Sequence, residues 1–262
     1  QEIVITLCIA IFLAVLIPII GYNLLKKKLG RYDAAAIAAT YGSVSAVTFI
    51  TASQFLDIQS ITYGGHMAAA MVLMESPAII IAIYFGNRAS MYDKAKEKKT
   101  PTRVLVKDSL KDGAQLLLIG AMVIGFLSGN NGERMMAPFS IDLFKGMLAF
   151  FLLDMGLQVA KNIKVLIKKS IVPILYAVFS PLIHALIALL IAKFFNIQLG
   201  DTILLMVLAA SASYIAVPAA LKFSIPKANP SLYFGISLGI TFPINILIGI
   251  PFYTWLAKIL VS

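Results

Sequence analysis

Tyr41-Gly42-Ser43-Val44-Ser45-Ala46-Val47-Thr48 lies within an apolar run, 33–55, where small and hydroxyl residues are poor choices for facing lipid. Displacing the sequence against itself by 168 positions lays this stretch on Ala209-Ala210-Ser211-Ala212-Ser213-Tyr214-Ile215-Ala216, with Ser43 on Ser211 and Ser45 on Ser213. The flanks agree, Asp33 falling on Asp201 and Phe55 on Phe223. Two small, hydroxyl-rich segments at matched positions are the pattern by which membrane carriers build a midplane site from interrupted helices.

The rest of the chain fits that setting. With 60% hydrophobic residues and a mean hydropathy of +0.91, the 262 residues read as an integral membrane protein. Apolar runs long enough to cross about 30 Å of hydrocarbon occur at 3–25, 33–55, 61–87, 113–129, 143–160, 171–195, 202–223 and 231–260. The run at 143–160 carries Lys145 and Asp154. Between the third and fourth runs, 88–112 is polar throughout, with Lys94, Lys96, Lys98, Lys99 and Pro101, and reads as a basic linker. If successive loops alternate sides, 18 of the 22 lysines and arginines share one side. The positive-inside rule makes that side cytoplasmic and leaves both ends of the chain outside. The net charge of +10 is then topology, and no nucleic-acid partner is needed to explain it. A single cysteine, Cys8, excludes an intrachain disulfide. The chain enters an apolar helix almost at Gln1, without a basic n-region or cleavage site, which reads as a missing start rather than a signal peptide.

The repeat turns these runs into an architecture. Runs 3–25, 33–55 and 61–87 correspond to 171–195, 202–223 and 231–260, each group closing with a proline-bearing helix at Pro77 or Pro243. Alternating loops make the two copies antiparallel across the membrane. The runs 113–129 and 143–160 have no counterparts before residue 3, and an inverted repeat needs an odd number of helices per unit. The expected fold is therefore an all-α membrane protein with an inverted 5+5 transmembrane repeat, eight of whose helices are in this chain, the first two of repeat one being absent. Residues 1–87 would be the last three helices of the first repeat, 88–112 the cytoplasmic linker, and 113–262 the second five-helix repeat.

Chemistry follows from the interruptions. A membrane helix can break at mid-depth only where its freed backbone groups meet protein, water or a solute. Half-helix N-termini aimed at one spot attract a small anion. The expected substrate set is Gly42, Ser43, Val44, Ser45 and Thr48 in one copy and Ala210, Ser211, Ala212 and Ser213 in the other, with Pro218 helping to open the second helix. Close packing by small residues is the structural alternative. Glu75, in Met74-Glu75-Ser76-Pro77, is an acid deep in a span, a placement that marks an ion path. Pro77 frees a nearby carbonyl, and carboxylate, carbonyl and hydroxyl oxygens suit Na+ or a proton. Glu75 and Ser76, with Thr241 and Asn245 around Pro243, form the expected cation set, and Asp154 is a further acid within a span. No organic cofactor is expected. A rival reading is an intramembrane hydrolase with Ser43 or Ser45 as nucleophile and His66 or His184 as base. Against it, Gly42-Ser43-Val44-Ser45-Ala46 lacks the second glycine of a nucleophile elbow, and catalysis needs one serine where this chain duplicates it.

At these residues the chain resembles the sodium-dependent bicarbonate transporters first known from cyanobacteria. The likeness runs through Tyr41-Gly42-Ser43-Val44-Ser45 to Thr48, Met74-Glu75-Ser76-Pro77, Ser180-Pro181 to His184, and Ser211 to Ile225-Pro226-Lys227-Ala228-Asn229-Pro230-Ser231. It covers essentially the whole chain. The resemblance implies an inverted 5+5 fold, a homotrimer in a bacterial cytoplasmic membrane, and bicarbonate bound between the serine-bearing helices with sodium alongside. It also implies a PII-like regulator on the cytoplasmic face. Glu75 stands where that family has an aspartate. Where the family has four serines and then an aspartate, this chain reads Ala210-Ser211-Ala212-Ser213-Tyr214, two hydroxyls and an acid fewer.

Overall fold

A computed structural model describes residues 2–92, 113–151, 153, 154, 157 and 171–261. The chain opens with α1 (Glu2–Leu25), an apolar helix that carries Pro18 in its interior. Membrane helices accept such a proline where neighbours satisfy the freed carbonyl. The next apolar run is not one helix. It divides into α2 (Arg31–Gly42) and α3 (Ala46–Ile58), with Ser43 and Ser45 in extended backbone between them. Six of α2's residues, Ala34–Ala39, form a buried stretch rich in alanine. Alanine favours helix and lets α1 and α4 (His66–Tyr92) approach the α2 backbone closely.

The second half repeats the order. Helix α6 (Ile171–Phe194), with Pro181 inside it, is followed by α7 (Leu199–Ala210), an interruption at Ser211–Ile215, and α8 (Ala216–Ser224). The last helix, α9 (Pro230–Val261), starts with Pro230 just after the Asn229 cap and contains π-helical turns at Ser237–Thr241 and Asn245–Gly249, on either side of Pro243. A proline removes one amide and crowds the preceding turn, which widened π turns accommodate.

Packing interleaves the two groups. Helix α1 lies on α2 as α6 lies on α7, while α3 packs on α7 as α8 packs on α2. Helix α4 touches α8, and α9 touches α3. Two aspartates at matched positions tie the groups together. Asp33 Oδ1 accepts the Asn229 amide at 2.7 Å, at the head of α9, and Asp201 Oδ1 accepts the Gly64 amide at 2.6 Å, just before α4. Each acid at the start of an interrupted helix thus holds the entrance to the long helix of the other group. Asp201 also receives Gln198 Nε2 at 2.8 Å and lies 3.2 Å from His66 Nε2. Gly200 belongs to the same junction, because a Cβ there would fall 2.1 Å from the Thr62 carbonyl oxygen.

Burial follows the interruptions. In the most apolar window of Arg31–Ile58, 78% of residues are buried, against 39% for α1 and 39% for α6. The broken pair is thus wrapped by protein, as exposed backbone groups in hydrocarbon would require. Phe12, Leu24, Leu190 and Trp255 point outward, as a lipid-facing surface would.

One region departs from the sequence expectation. Instead of a loop between the runs at 113–129 and 143–160, the chain forms α5 (Gly113–Ala137), kinked at Gly129, and a π turn at Pro138–Leu143 that leads into further helix; residues 152, 155, 156 and 158–160 lie outside the described residues. Gly129 takes φ 54° and ψ −149°, outside the helical range and open to glycine without Cβ strain, so α5 is two helical pieces joined by a kink at the expected boundary, and the polar stretch after it is helical rather than a loop. Among the described residues, five helices are long and apolar enough to cross a membrane: α1, Arg31–Ile58 taken through its break, His66–Ala89, α6 and α9. The run at 113–129 is not among them, and 143–160 is described only in part. Helix α7 is a shorter apolar helix. Linker residues 93–112 and Lys161, Lys164, Lys168 and Lys169 lie outside the described residues.

Candidate functional site

The two interruptions meet. Ser213 donates its amide to the Thr40 carbonyl at 2.8 Å, and Ser45 donates its amide to Ser211 Oγ at 3.1 Å. Each break is thus stitched to the other by backbone groups that the loss of helix had freed. Ser43, Ser45, Thr48, Ser211 and Ser213 are all buried.

Every serine here has a definite local role except one. Ser45 caps α3: its Oγ accepts the Thr48 amide at 3.1 Å and the Thr48 hydroxyl at 2.9 Å, and donates to the Tyr214 hydroxyl at 3.2 Å. Ser213, its partner in the repeat, accepts the Val217 amide at 3.2 Å in the first turn of α8. Ser211 donates to the Leu208 carbonyl at 2.8 Å while accepting from Ser45. Ser43 Oγ is buried without a hydrogen-bond partner. Its neighbour Gly42 faces α1, where a Cβ would fall 2.6 Å from the Pro18 ring, so packing alone requires a glycine there.

The expected cation residues divide into three places. Thr241 Oγ1 donates to the Ala177 carbonyl at 2.8 Å and lies 2.6 Å from the Tyr41 hydroxyl. Asn245 donates to the Ala210 carbonyl at 2.8 Å and accepts from the Tyr253 hydroxyl at 2.9 Å. These two therefore brace the helices that flank the breaks, Asn245 by holding the carbonyl end of α7. Glu75 is buried on α4, two residues before Pro77, with Ser76 half-buried beside it. Asp154 is exposed in this chain and does not join the buried polar set. Among the described residues no group of three or more His, Cys, Asp or Glu side chains comes together.

The hydrolase arrangement is not assembled. His66 pairs with Asp201, and His184 hydrogen-bonds the Ala209 backbone. The polar partners of Ser45 are Ser211, Tyr214 and Thr48, so neither serine has the base within hydrogen-bond reach that nucleophilic catalysis needs.

Two residues at the crossing were not singled out from sequence. Tyr214 reaches Ser45 with its hydroxyl and packs its ring against Phe242, with centroids 5.2 Å apart. Tyr41 spans from α2 to Thr241 on α9. A phenol in the middle of a small-residue membrane stretch was the available signal, since a buried tyrosine needs a partner for its hydroxyl.

A family model described as the Na+-dependent bicarbonate transporter superfamily matches residues 1–258. No curated protein matches the chain.

Proposed function

This chain belongs to the Na+-dependent bicarbonate transporter superfamily, and from that premise we propose a sodium-coupled carrier that imports a small anion, bicarbonate first, bound where the interrupted helices cross. Family membership makes the chain a multi-pass membrane transporter and not an enzyme.

The observation that carries the binding reading is the Ser43 hydroxyl, buried and unpartnered while the other three serines at the crossing are engaged. Leaving such a donor unsatisfied costs about 1–3 kcal/mol. An anion that accepts from it removes that cost. Close by in sequence, the Ala46 and Val47 amides open α3 and have no helical carbonyl one turn back, so they add partial positive charge. Val44 and Thr48 complete this side of the site, with Ala210, Ser211, Ala212 and Ser213 forming the wall opposite. The carbonyl end of α2 and the Glu75 carboxylate supply the opposite sign for Na+, with Ser76 next to Glu75. Thr241 and Asn245 would enter the ion shell only by exchanging their Tyr41 and Tyr253 contacts, which makes Glu75 the principal coupling residue. A sodium ion beside the Glu75 carboxylate would offset its charge, which lowers the cost of holding an anion nearby in the membrane.

We read the architecture as an inverted repeat. Its support is the matched packing of the two groups and the reciprocal Asp33 and Asp201 links. In alternating access, one helix group would rock against the other around the crossing. The basic loops would face the cytoplasm of a bacterial cell, where 88–112 would form the linker and could meet a PII-like regulator. A homotrimer would cover part of the apolar α5 face, on which Leu117, Phe126 and Leu127 are exposed.

The test is uptake of labelled bicarbonate into vesicles holding the full chain, with and without an inward sodium gradient. Saturable, gradient-driven uptake is expected. Unsaturable flux that ignores the gradient would mean a pore. Glu75→Ala is expected to abolish the sodium-driven component, and uptake that keeps its sodium dependence removes Glu75 from coupling.

A further inference from the structure

A cavity of about 630 Å³ lies between α1 and α4, and no residue of the crossing lines it. Its mouth carries Lys26, Arg31 and Arg88 together with Asn23. Below the mouth the walls turn apolar, with Val15 and Ile19 on α1 and Ile80 and Ile81 on α4. Val15, Ile19, Asn23 and Lys26 recur at helical spacing, so they form one lane along α1. Lys26 lies eleven positions after Val15, roughly 16 Å at about 1.5 Å per residue. That is about one leaflet of the hydrocarbon core. The lane is open sideways, because Val15, Ile19 and Ile80 are 36%, 40% and 43% exposed.

The mouth is braced. Tyr22 stacks on Phe85 across the two helices, with centroids 4.0 Å apart and planes within 10°, and Lys26 Nζ sits 5.5 Å above the Tyr22 ring. Tyr84 lines the opposite wall, its hydroxyl 3.4 Å from an Arg88 guanidinium nitrogen. Lys27 and Lys28 follow Lys26 directly but do not line the cavity. Three cations at the head of an apolar lane one leaflet deep match an ion with a hydrocarbon tail. A soluble phosphate would use the mouth and leave the lane bare.

We propose that this groove binds an anionic phospholipid, its phosphate among Lys26, Arg31 and Arg88 and an acyl chain along Val15, Ile19 and Ile80. The test is native mass spectrometry of the full chain equilibrated with mixed phosphatidylglycerol and phosphatidylcholine. The wild type is expected to retain phosphatidylglycerol preferentially. Lys26→Gln/Arg31→Gln/Arg88→Gln should lower that retention at least tenfold, while Lys27→Gln/Lys28→Gln leaves it unchanged. Ile19→Trp/Ile80→Trp, which fills the lane and keeps every charge, should lower it comparably, so the proposal can be judged even if the triple variant fails to fold. Equal loss in the Lys27/Lys28 variant would reduce the effect to diffuse surface attraction and overturn the site. Undiminished retention in the tryptophan variant, or displacement by soluble glycerol 3-phosphate, would make it a phosphate site without a lipid. A tryptophan variant that changes the oligomer's mass and not its lipid content would assign the groove to a second copy of the chain.

Discussion

At the first break three residues, 43–45, separate α2 from α3, and at the second five residues, 211–215, separate α7 from α8. The repeat pairs Thr40 with Leu208 and Ser45 with Ser213, and both pairs make a link across the crossing, but not the same one. Ser213 donates its amide directly to the Thr40 carbonyl at 2.8 Å. In the reciprocal direction the Ser45 amide reaches the Leu208 carbonyl only through the Ser211 hydroxyl, by bonds of 3.1 and 2.8 Å. Ser211 is occupied as a spacer. Ser43, its counterpart, faces a gap already closed by a direct bond, and its hydroxyl stays uncommitted. Two serines at matched positions thus divide into one committed to the backbone and one whose hydroxyl has no partner.

The largest effect that separates them is expected at Ser43. Ser43→Leu should abolish uptake, with overpacking lowering thermal stability as well, and Ser43→Ala should raise the apparent KM about 10- to 100-fold with little change in stability, the loss of one hydrogen bond to a charged ligand. If Ser43→Ala transports normally, the distinction between the two breaks fails. Ser211→Ala should act the other way. It strands the Ser45 amide and lowers unfolding stability by about 1–3 kcal/mol, readable in denaturant melts, while KM moves less than in Ser43→Ala. The caps come next: Ser45→Ala and Ser213→Ala should each cost about 1 kcal/mol of stability, with Ser45 the more costly because it also holds Thr48 and Tyr214. Equal melting shifts would mean that the Tyr214 contact contributes nothing. Smallest is Tyr214→Phe, which keeps the ring packing and removes one neutral hydrogen bond, about 0.5–1.5 kcal/mol. An effect on KM as large as that of Ser43→Ala would move the substrate toward the second break.

The sequence carried the membrane class, the interrupted helices and the pairing of Asp33 with Asp201, because these depend on hydropathy and on residue types repeated at one spacing. It ended a span at 129, where Gly129 does interrupt the helical geometry, but it read the polar residues beyond as a loop, whereas 130–137 is helix and 138–143 a π turn. Composition in a window cannot distinguish a polar helical turn from a loop. Nor does the sequence show the partners of Asn245 and Thr241, whose hydrogen bonds go to Ala210, Tyr253, Ala177 and Tyr41, residues that only the fold brings to them.

Sequence by itself determined that two helices open at matched serines, since a break needs only local backbone freedom and hydroxyls to cap the severed ends. Which serine keeps a spare hydroxyl was decided by tertiary structure alone. That choice turns on whether an amide from the other half of the chain reaches a carbonyl directly or through a side chain, a difference of a few ångströms between residues far apart in sequence that no local pattern encodes.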